Sequence, residues 1–463
     1  MLALLSNFKN VFLQSDLRRK LFFTLWVLAV YRLGVHIPLP GIDTNMLTGF
    51  LNSESFGSGF FKYFDLLSGG ALKKVAIFAL GVGPYIQASI FMQVLGLIVP
   101  SLEALSKEGE AGRRILNGYT RNLSVLIAVL QSFIYVTSLE YMAPGIVMVP
   151  GWSFKILGTI ILSAGSVFVM WLGEQILQRG LGQGSSMIIF AGIVAGLPEG
   201  IFKIYSSISS GNLDWGIAAL IVGFLLALVC AIVFIERGER RVNVQYAKRV
   251  IGQKIYGGIS RHIPFKINPA GVVPVIFTSA LLGMPVYLLK KLFSFEWLAF
   301  FSSVGIPDWV LNKFSWLEWF SGISFIGDWL EYGSPVYTLL TVLFIVFFSF
   351  VYTSIIMDPN ELADNLRKSG GFVSALRPGK QTADFFEALL LRIGIPGAIY
   401  LATLAVFPDI LLKFLSSPIM FSGTSLLIAV GVGLDTSNQL DTALLDKKYE
   451  SFLSFGKARK KYD

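Results

Sequence analysis

Side chains able to carry covalent or metal chemistry are scarce in this chain. Cys230 is its one cysteine, and its two histidines, His36 and His262, lie far apart in sequence. A single cysteine forms no internal disulfide, and two distant histidines supply no multi-histidine metal site. No acidic pair falls inside an apolar run, which takes weight from an ion-coupled transporter. The glycines of Arg179-Gly180-Leu181-Gly182-Gln183-Gly184-Ser185 invite comparison with phosphate-cradling loops. No Gly-Lys-Ser/Thr follows them and no strand–loop–helix setting surrounds them, so a tight turn between helices is expected instead. No metal, no cofactor and no catalysed reaction are expected.

The remaining patterns are physical rather than reactive. Gly81-Val82-Gly83-Pro84-Tyr85-Ile86 and Gly271-Val272-Val273-Pro274-Val275-Ile276 match at four of six positions. Both place Gly and Pro inside an apolar run, and such interrupted helices line cavities because the freed backbone groups need partners. Isoleucine cannot bind an ion or a sugar, but a ring of aliphatic side chains excludes water and gates by dewetting. Ordinary helix packing is the alternative for any one isoleucine. Ser68-Gly69-Gly70-Ala71 follows an apolar stretch with Phe60, Phe61, Phe64, Leu66 and Leu67. It is too short to cross a membrane, and reads either as a re-entrant piece that blocks a pore or as an interfacial loop.

The elements that hold these groups follow from composition. The chain has 463 residues, 54% hydrophobic and 14% charged, against about 25% charged in soluble proteins; its mean hydropathy is +0.67. An integral membrane bundle is expected, rather than soluble domains, a disulfide scaffold or a nucleic-acid-binding domain. Crossing the hydrocarbon takes about 20 apolar residues, and ten segments come near that length: 21–37, 75–99, 123–139, 154–172, 186–205, 215–235, 267–289, 336–357, 385–407 and 419–434. With ten crossings, 27 of the 38 Lys and Arg fall in one set of loops and nine in the other, with Arg32 and Arg392 inside spans. The positive-inside rule then puts both ends in the cytoplasm. Residues 1–20 read as an amphipathic interfacial segment without a cleavage site. Arg32 is expected to snorkel to the outer surface, and Arg392 to face protein or sit near the cytoplasmic interface. Five spans per half make the halves inverted. The loops 236–266 and 358–382 are long and basic, and loops of that length are often functional. Val242, Val244 and Tyr246 alternate as in a strand, and Arg377-Pro378-Gly379 reads as a turn presenting an arginine. Both loops look like docking surfaces for an anionic or mixed-charge partner.

Several longer motifs resemble the SecY family of protein-translocation channels, over nearly the whole chain. They include Ile37-Pro38-Leu39-Pro40-Gly41-Ile42-Asp43, Ile77-Phe78-Ala79-Leu80-Gly81, Trp171-Leu172-Gly173-Glu174-Gln175, Tyr246-Ala247-Lys248-Arg249 and Gly423-Thr424-Ser425-Leu426-Leu427-Ile428. The resemblance implies an all-α membrane protein, ten helices in two inverted halves of five that close like a clamshell on an hourglass pore. It implies a plug at about 60–74, with Phe64, Leu67, Ser68, Gly69, Gly70, Ala71 and Leu72. It implies a pore ring of Val82, Ile86, Ser185, Ile189, Ile276 and Ile428, in which Ser185 departs from the usual bulky aliphatic and Met187 is a candidate to fill the gap. A lateral gate is implied at Gln87, Ile90, Phe91, Gln131, Asn268 and Thr278. Docking of the ribosome and the SecA motor is implied at Arg240, Arg241, Lys248, Arg249, Lys254, Arg377 and Lys380. The family often has paired arginines where this chain has Gln253-Lys254, which weakens that position. The outer loop 290–335 is longer than usual and holds five tryptophans.

The implied organisation is 1–20 amphipathic segment, 21–205 first half, 206–235 sixth span, 236–266 docking loop, 267–357 seventh and eighth spans, 358–384 docking loop, 385–440 last two spans and 441–463 basic tail. Implied partners are the small subunits SecE and SecG, SecA, the translating ribosome, signal sequences and unfolded polypeptide, anionic lipids, and SecDF and YidC, in a bacterial inner membrane. A lipid-facing insertase without a continuous pore is the other rival reading.

Overall fold

Apolar runs without water leave the backbone no partner but itself, so most of this sequence coils into helices. A computed structural model of the chain describes residues 14–43, 68–142, 145–211, 213–246, 249–251, 254–256, 260–279, 282, 334–373, 376–414 and 423–459. The chain forms two compact units, Met1–Phe202 with Ile428–Asp463, and Lys203–Leu427.

The first unit opens with α1 (Ser15–Gly34). Its buried residues Leu17, Thr24, Val27, Tyr31 and Gly34 make one stripe, while Phe22, Leu25, Trp26 and Leu33 are exposed. In water that second face would be a liability; against lipid it is the expected surface. α2 (Gly83–Ile98) and α3 (Pro100–Lys107) follow, each with proline in its first turn, where no N–H is needed. α4 (Glu110–Met142) packs on α2 and on α5 (Trp152–Arg179), which also packs on α1. At 33 residues, α4 spans ~50 Å and outruns a hydrocarbon core of ~30 Å. α6 (Gly184–Ser209) begins against α5: a Cβ on Gly184 would lie 1.7 Å from the Gly173 carbonyl oxygen, so only glycine fits. The connection of four residues is the tight turn expected from its glycines. Thr24 Oγ1 accepts from Leu181 N at 2.9 Å and Gln439 Oε1 from Gly182 N at 3.0 Å.

The expected span 75–99 is helical only from Gly83. Val75 at φ 44° and Gly81 at φ 52° leave the helical region. Residues 75–77 instead bond to 37–39, through Leu39 N to Val75 O at 2.9 Å and Ile77 N to Ile37 O at 3.0 Å. Thus the Ile37-Pro38-Leu39 motif supplies the partners of a stretch that periodicity reads as helix.

The second unit contains α7 (Trp215–Glu236), capped by Asp214, which accepts from Gly216 N at 3.2 Å. Then come β1 (Glu239–Tyr246), β2 (Arg249–Ile251), β3 (Lys254–Tyr256) and β4 (Ser260–Lys266). A short helical stretch covers 273–279. α8 (Pro335–Ile356) is capped by Ser334, and α9 (Pro359–Lys368) by Asp358. β5 (Gly371–Val373) leads to α10 (Lys380–Phe414), which packs on α8 and α9. The last helix, α11 (Gly423–Arg459), starts in the second unit and runs into the first.

Among the described residues six helices are long and apolar enough to cross a membrane: Glu110–Glu140, Trp152–Arg179, Gly184–Ser209, Trp215–Glu236, Pro335–Lys368 and Lys380–Pro408. The other four expected spans fall on α1, on α2, on the run from 267 and on α11. The last two extend into residues 283–289 and 419–422, outside the described residues.

Candidate functional site

In the first unit the 68–72 segment is a non-helical turn seated among helices. Ser68, Ala71 and Leu72 are buried. Gly69 and Gly70 hold φ of 67° and 87°, values that disfavour a side chain. Leu72 N donates to Ser68 Oγ at 3.3 Å. Side chains of α1 and α4 donate to the turn's carbonyls: Tyr31 to Ser68, Arg32 to Gly69, and Tyr135 to Leu72. The Arg32 guanidinium, expected to snorkel outward, is thus directed at the Gly69 carbonyl. Phe64 and Leu67 lie outside the described residues.

Of the ring candidates, Val82 is the N-cap of α2 and buried, and Ile86 is half-buried one turn on. Ser185 is half-buried at the start of α6, with Ile189 a turn later and only 2% exposed. Ile428 on α11 is fully buried, and Ile276 in the second unit is buried within 273–279. Met187 does not fill in for Ser185. Residues two apart on a helix point to opposite sides, and Met187 turns to Gly182 and to Thr436, whose Oγ1 is 3.5 Å from its Sδ.

Among the gate candidates, Gln131 Nε2 donates to Gln87 Oε1 and so ties α4 to α2. Ile90 is buried and Phe91 exposed on α2. In the second unit Asn268 Nδ2 donates to Glu236 Oε1 at 2.8 Å and to Gly271 O at 3.0 Å, while Thr278 Oγ1 donates to Pro274 O at 2.9 Å. Both residues are buried.

The two basic loops, separate in sequence, share one sheet of order β4-β1-β5. Val244 pairs with Val373 and Tyr246 with Gly371. Val242 and Val244 alternate inward as the sequence pattern predicts. They join Phe265, Ala363, Leu366, Val373, Ala383, Phe386 and Leu390 in one core. Arg240 and Arg241 are both exposed, and Arg241 Nη2 pairs with Glu239 Oε1 at 2.7 Å. Arg377 and Lys380 are exposed, and Thr382 Oγ1 donates to Arg377 O at 2.8 Å, fastening the Arg-Pro-Gly turn to α10. Arg249 and Lys254 stand on β2 and β3, which pair with each other; Lys248 lies outside the described residues. Arg392 is exposed on α10 and does not face protein among the described residues. Its neighbours Leu390 and Ile393 belong to the core beneath the sheet.

A SecY family model matches residues 76–437. The chain is 39% identical over 441 residues to the protein translocase subunit SecY of Escherichia coli strain K12, covering 95% of this chain and 94% of that one.

The chain belongs to the SecY family.

It is also 38% identical to the SecY subunit of Aquifex aeolicus over 450 residues, 96% of this chain and 98% of the relative. Its fold resembles a solved protein-conducting channel with TM-score 0.61 at 16% identity, covering 91% of each chain. SecY proteins are translocase channel subunits and not enzymes. Reading the sequence for SecY features missed one tie. Glu174 of the Trp-Leu-Gly-Glu-Gln motif accepts from Arg121 Nε at 2.6 Å, linking α5 to α4. A carboxylate within an otherwise apolar helix was the signal for it.

Proposed function

We propose that this chain forms the protein-conducting channel of a bacterial translocase. It passes unfolded secretory polypeptide across the membrane and releases apolar segments sideways into lipid. The observation that carries this is the 39% identity to a protein translocase subunit over 95% of the chain. Ten spans in two inverted halves closing as a clamshell would place Val82, Ile86, Ser185, Ile189, Ile276 and Ile428 around the pore. The 68–72 turn would be part of the plug, with Phe64 and Leu67 ahead of it. Gln87, Ile90, Phe91, Gln131, Asn268 and Thr278 would flank the lateral gate. The buried, aliphatic character of Val82, Ile189, Ile276 and Ile428 supports a seal by dewetting. Solved channels of this fold include one captured with a canine ribosome, TM-score 0.57 at 16% identity.

Arg240, Arg241, Lys248, Arg249, Lys254, Arg377 and Lys380 would receive the ribosome or the SecA motor on the cytoplasmic side. Both chain ends would lie on that side too. SecE and SecG would complete the complex. SecDF, YidC and anionic lipids would act beside it. The chain would divide at 20, 205, 235, 266, 357, 384 and 440. The test is reconstitution: the chain with its small subunits in proteoliposomes, supplied with motor, ATP and a secretory precursor. Protease-protected precursor is the expected result, and its absence with a correctly assembled complex would overturn the proposal.

A further inference from the structure

Three carbonyls of the 68–72 turn are held by side chains. Tyr31 Oη donates to Ser68 O at 2.9 Å, Arg32 Nη1 to Gly69 O at 2.9 Å, and Tyr135 Oη to Leu72 O at 2.8 Å. Two donors are consecutive on α1 and the third is on α4, so the turn is gripped from two helices. Tyr31 is 0% exposed and Tyr135 5%. The seat is close-fitting: a Cβ on Gly69 would lie 2.6 Å from Arg32 Nη1 and 2.7 Å from Gly192 Cα on α6. Irregular backbone at membrane depth needs a donor for each carbonyl, since no lipid can provide one. Just past the turn stands Val75, fully buried at φ 44°. A β-branched residue in the left-handed region is strained and stays there only when its surroundings hold it. Its N–H donates to Leu72 O at 3.0 Å and its carbonyl accepts from Leu39 N at 2.9 Å.

We propose that Tyr31, Arg32 and Tyr135 form a three-donor latch that sets how often the 68–72 segment leaves its seat in the resting channel, with Val75 as the strained hinge at its trailing end. The inference rests on reading 68–72 as the plug. Departure of the segment breaks all three bonds and hands the carbonyls to water, so removing a donor weakens the seated state alone. Leu72 O keeps the Val75 N–H when Tyr135 is removed, so loss of one donor is worth a net hydrogen bond and shifts such an equilibrium about fivefold. The guanidinium, whose bond is charge-assisted, has the largest share. The two tyrosines hold different carbonyls from different helices, so their effects should multiply.

The experiment uses the complete translocase in native membranes, with the exposed Cys230 replaced by serine and Ala71→Cys as reporter. The readout is the rate of labelling by a membrane-impermeant maleimide with no substrate present. Tyr31→Phe and Tyr135→Phe should each raise the resting rate about fivefold. The double variant should raise it further and Arg32→Gln the most, while Arg32→Lys, which keeps a charged donor, should recover part of the difference. Resting rates within twofold of the parent in both tyrosine variants would overturn the latch. A second arm labels the parent reporter with a precursor engaged. If engagement fails to raise the rate, the plug reading falls. If engagement raises it and the tyrosine variants do not, the latch alone falls. Tyr135→Phe carries the test by itself should Tyr31→Phe fail to accumulate, because it removes the donor on the other helix.

Discussion

Phe386→Ala should separate docking from membrane anchoring. Phe386 lies in the second turn of α10 and is completely buried. Its ring centroid is 5.5 Å from that of Phe265 on β4. The same core takes Val242 and Val244 from β1, Val373 from β5, and Ala363 and Leu366 from α9. Truncating a fully buried phenylalanine to alanine costs about 3–5 kcal/mol through lost transfer energy and the cavity left behind. The sheet has three strands, one only three residues long, and small sheets depend on such packing for their stability. A loss of about 4 kcal/mol raises its locally open population by roughly a thousandfold. α8 and α10 keep their packing on each other, so the chain should remain inserted. Trypsin cleavage after Arg240 and Arg241 in intact complexes measures the opening, and sedimentation with ribosomes and with the motor measures docking. Cleavage should accelerate by two to three orders of magnitude and docking should fall at least tenfold, with assembly unchanged. Docking at the parent level despite fast cleavage would refute the idea that one core positions both basic loops. Cleavage at the parent rate would refute the packing argument itself.

Arg377→Glu reverses an exposed charge on a turn fastened to α10. It should block motor-driven export without faster cleavage or poorer membrane insertion, and normal export would remove Arg377 from the docking set. Ile189→Ser and Ile428→Ser each place a hydroxyl at a buried aliphatic position and should increase resting ion leak in planar bilayers; unchanged conductance in both would count against the ring. Gly184→Val forces a side chain against the Gly173 carbonyl and should sharply reduce accumulation of folded complex, whereas Gly196→Ala, with open space around its Cβ, should accumulate normally. Equal accumulation of the two would mean that α5 and α6 do not meet as described.

What the sequence made legible was what short periods encode. The apolar runs at 215–235 and 336–357 end within a residue or so of α7 and α8, because lipid rewards an unbroken helix and Asp214 and Ser334 cap the starts. The alternation of Val242, Val244 and Tyr246 shows β1 for the same kind of reason. Hidden from that view was everything decided by a distant partner. Residues 75–82 have the hydropathy of a span, yet 75–77 bond to 37–39 instead of entering a helix, while Arg32 reads as a snorkelling cation until Gly69 O is placed beside it.

The pairing of Val244 with Val373 bridges more than a hundred residues, so no window of local pattern carries it. The contacts around 68–82 share a physical feature: they satisfy backbone groups that a helix would have satisfied itself. In a bilayer, a departure from helix is tolerated only where another part of the chain supplies the missing donors. The irregular stretch 68–82 is therefore where long-range contacts have to gather, and a change in those donors acts on that stretch before it acts on the helices around it.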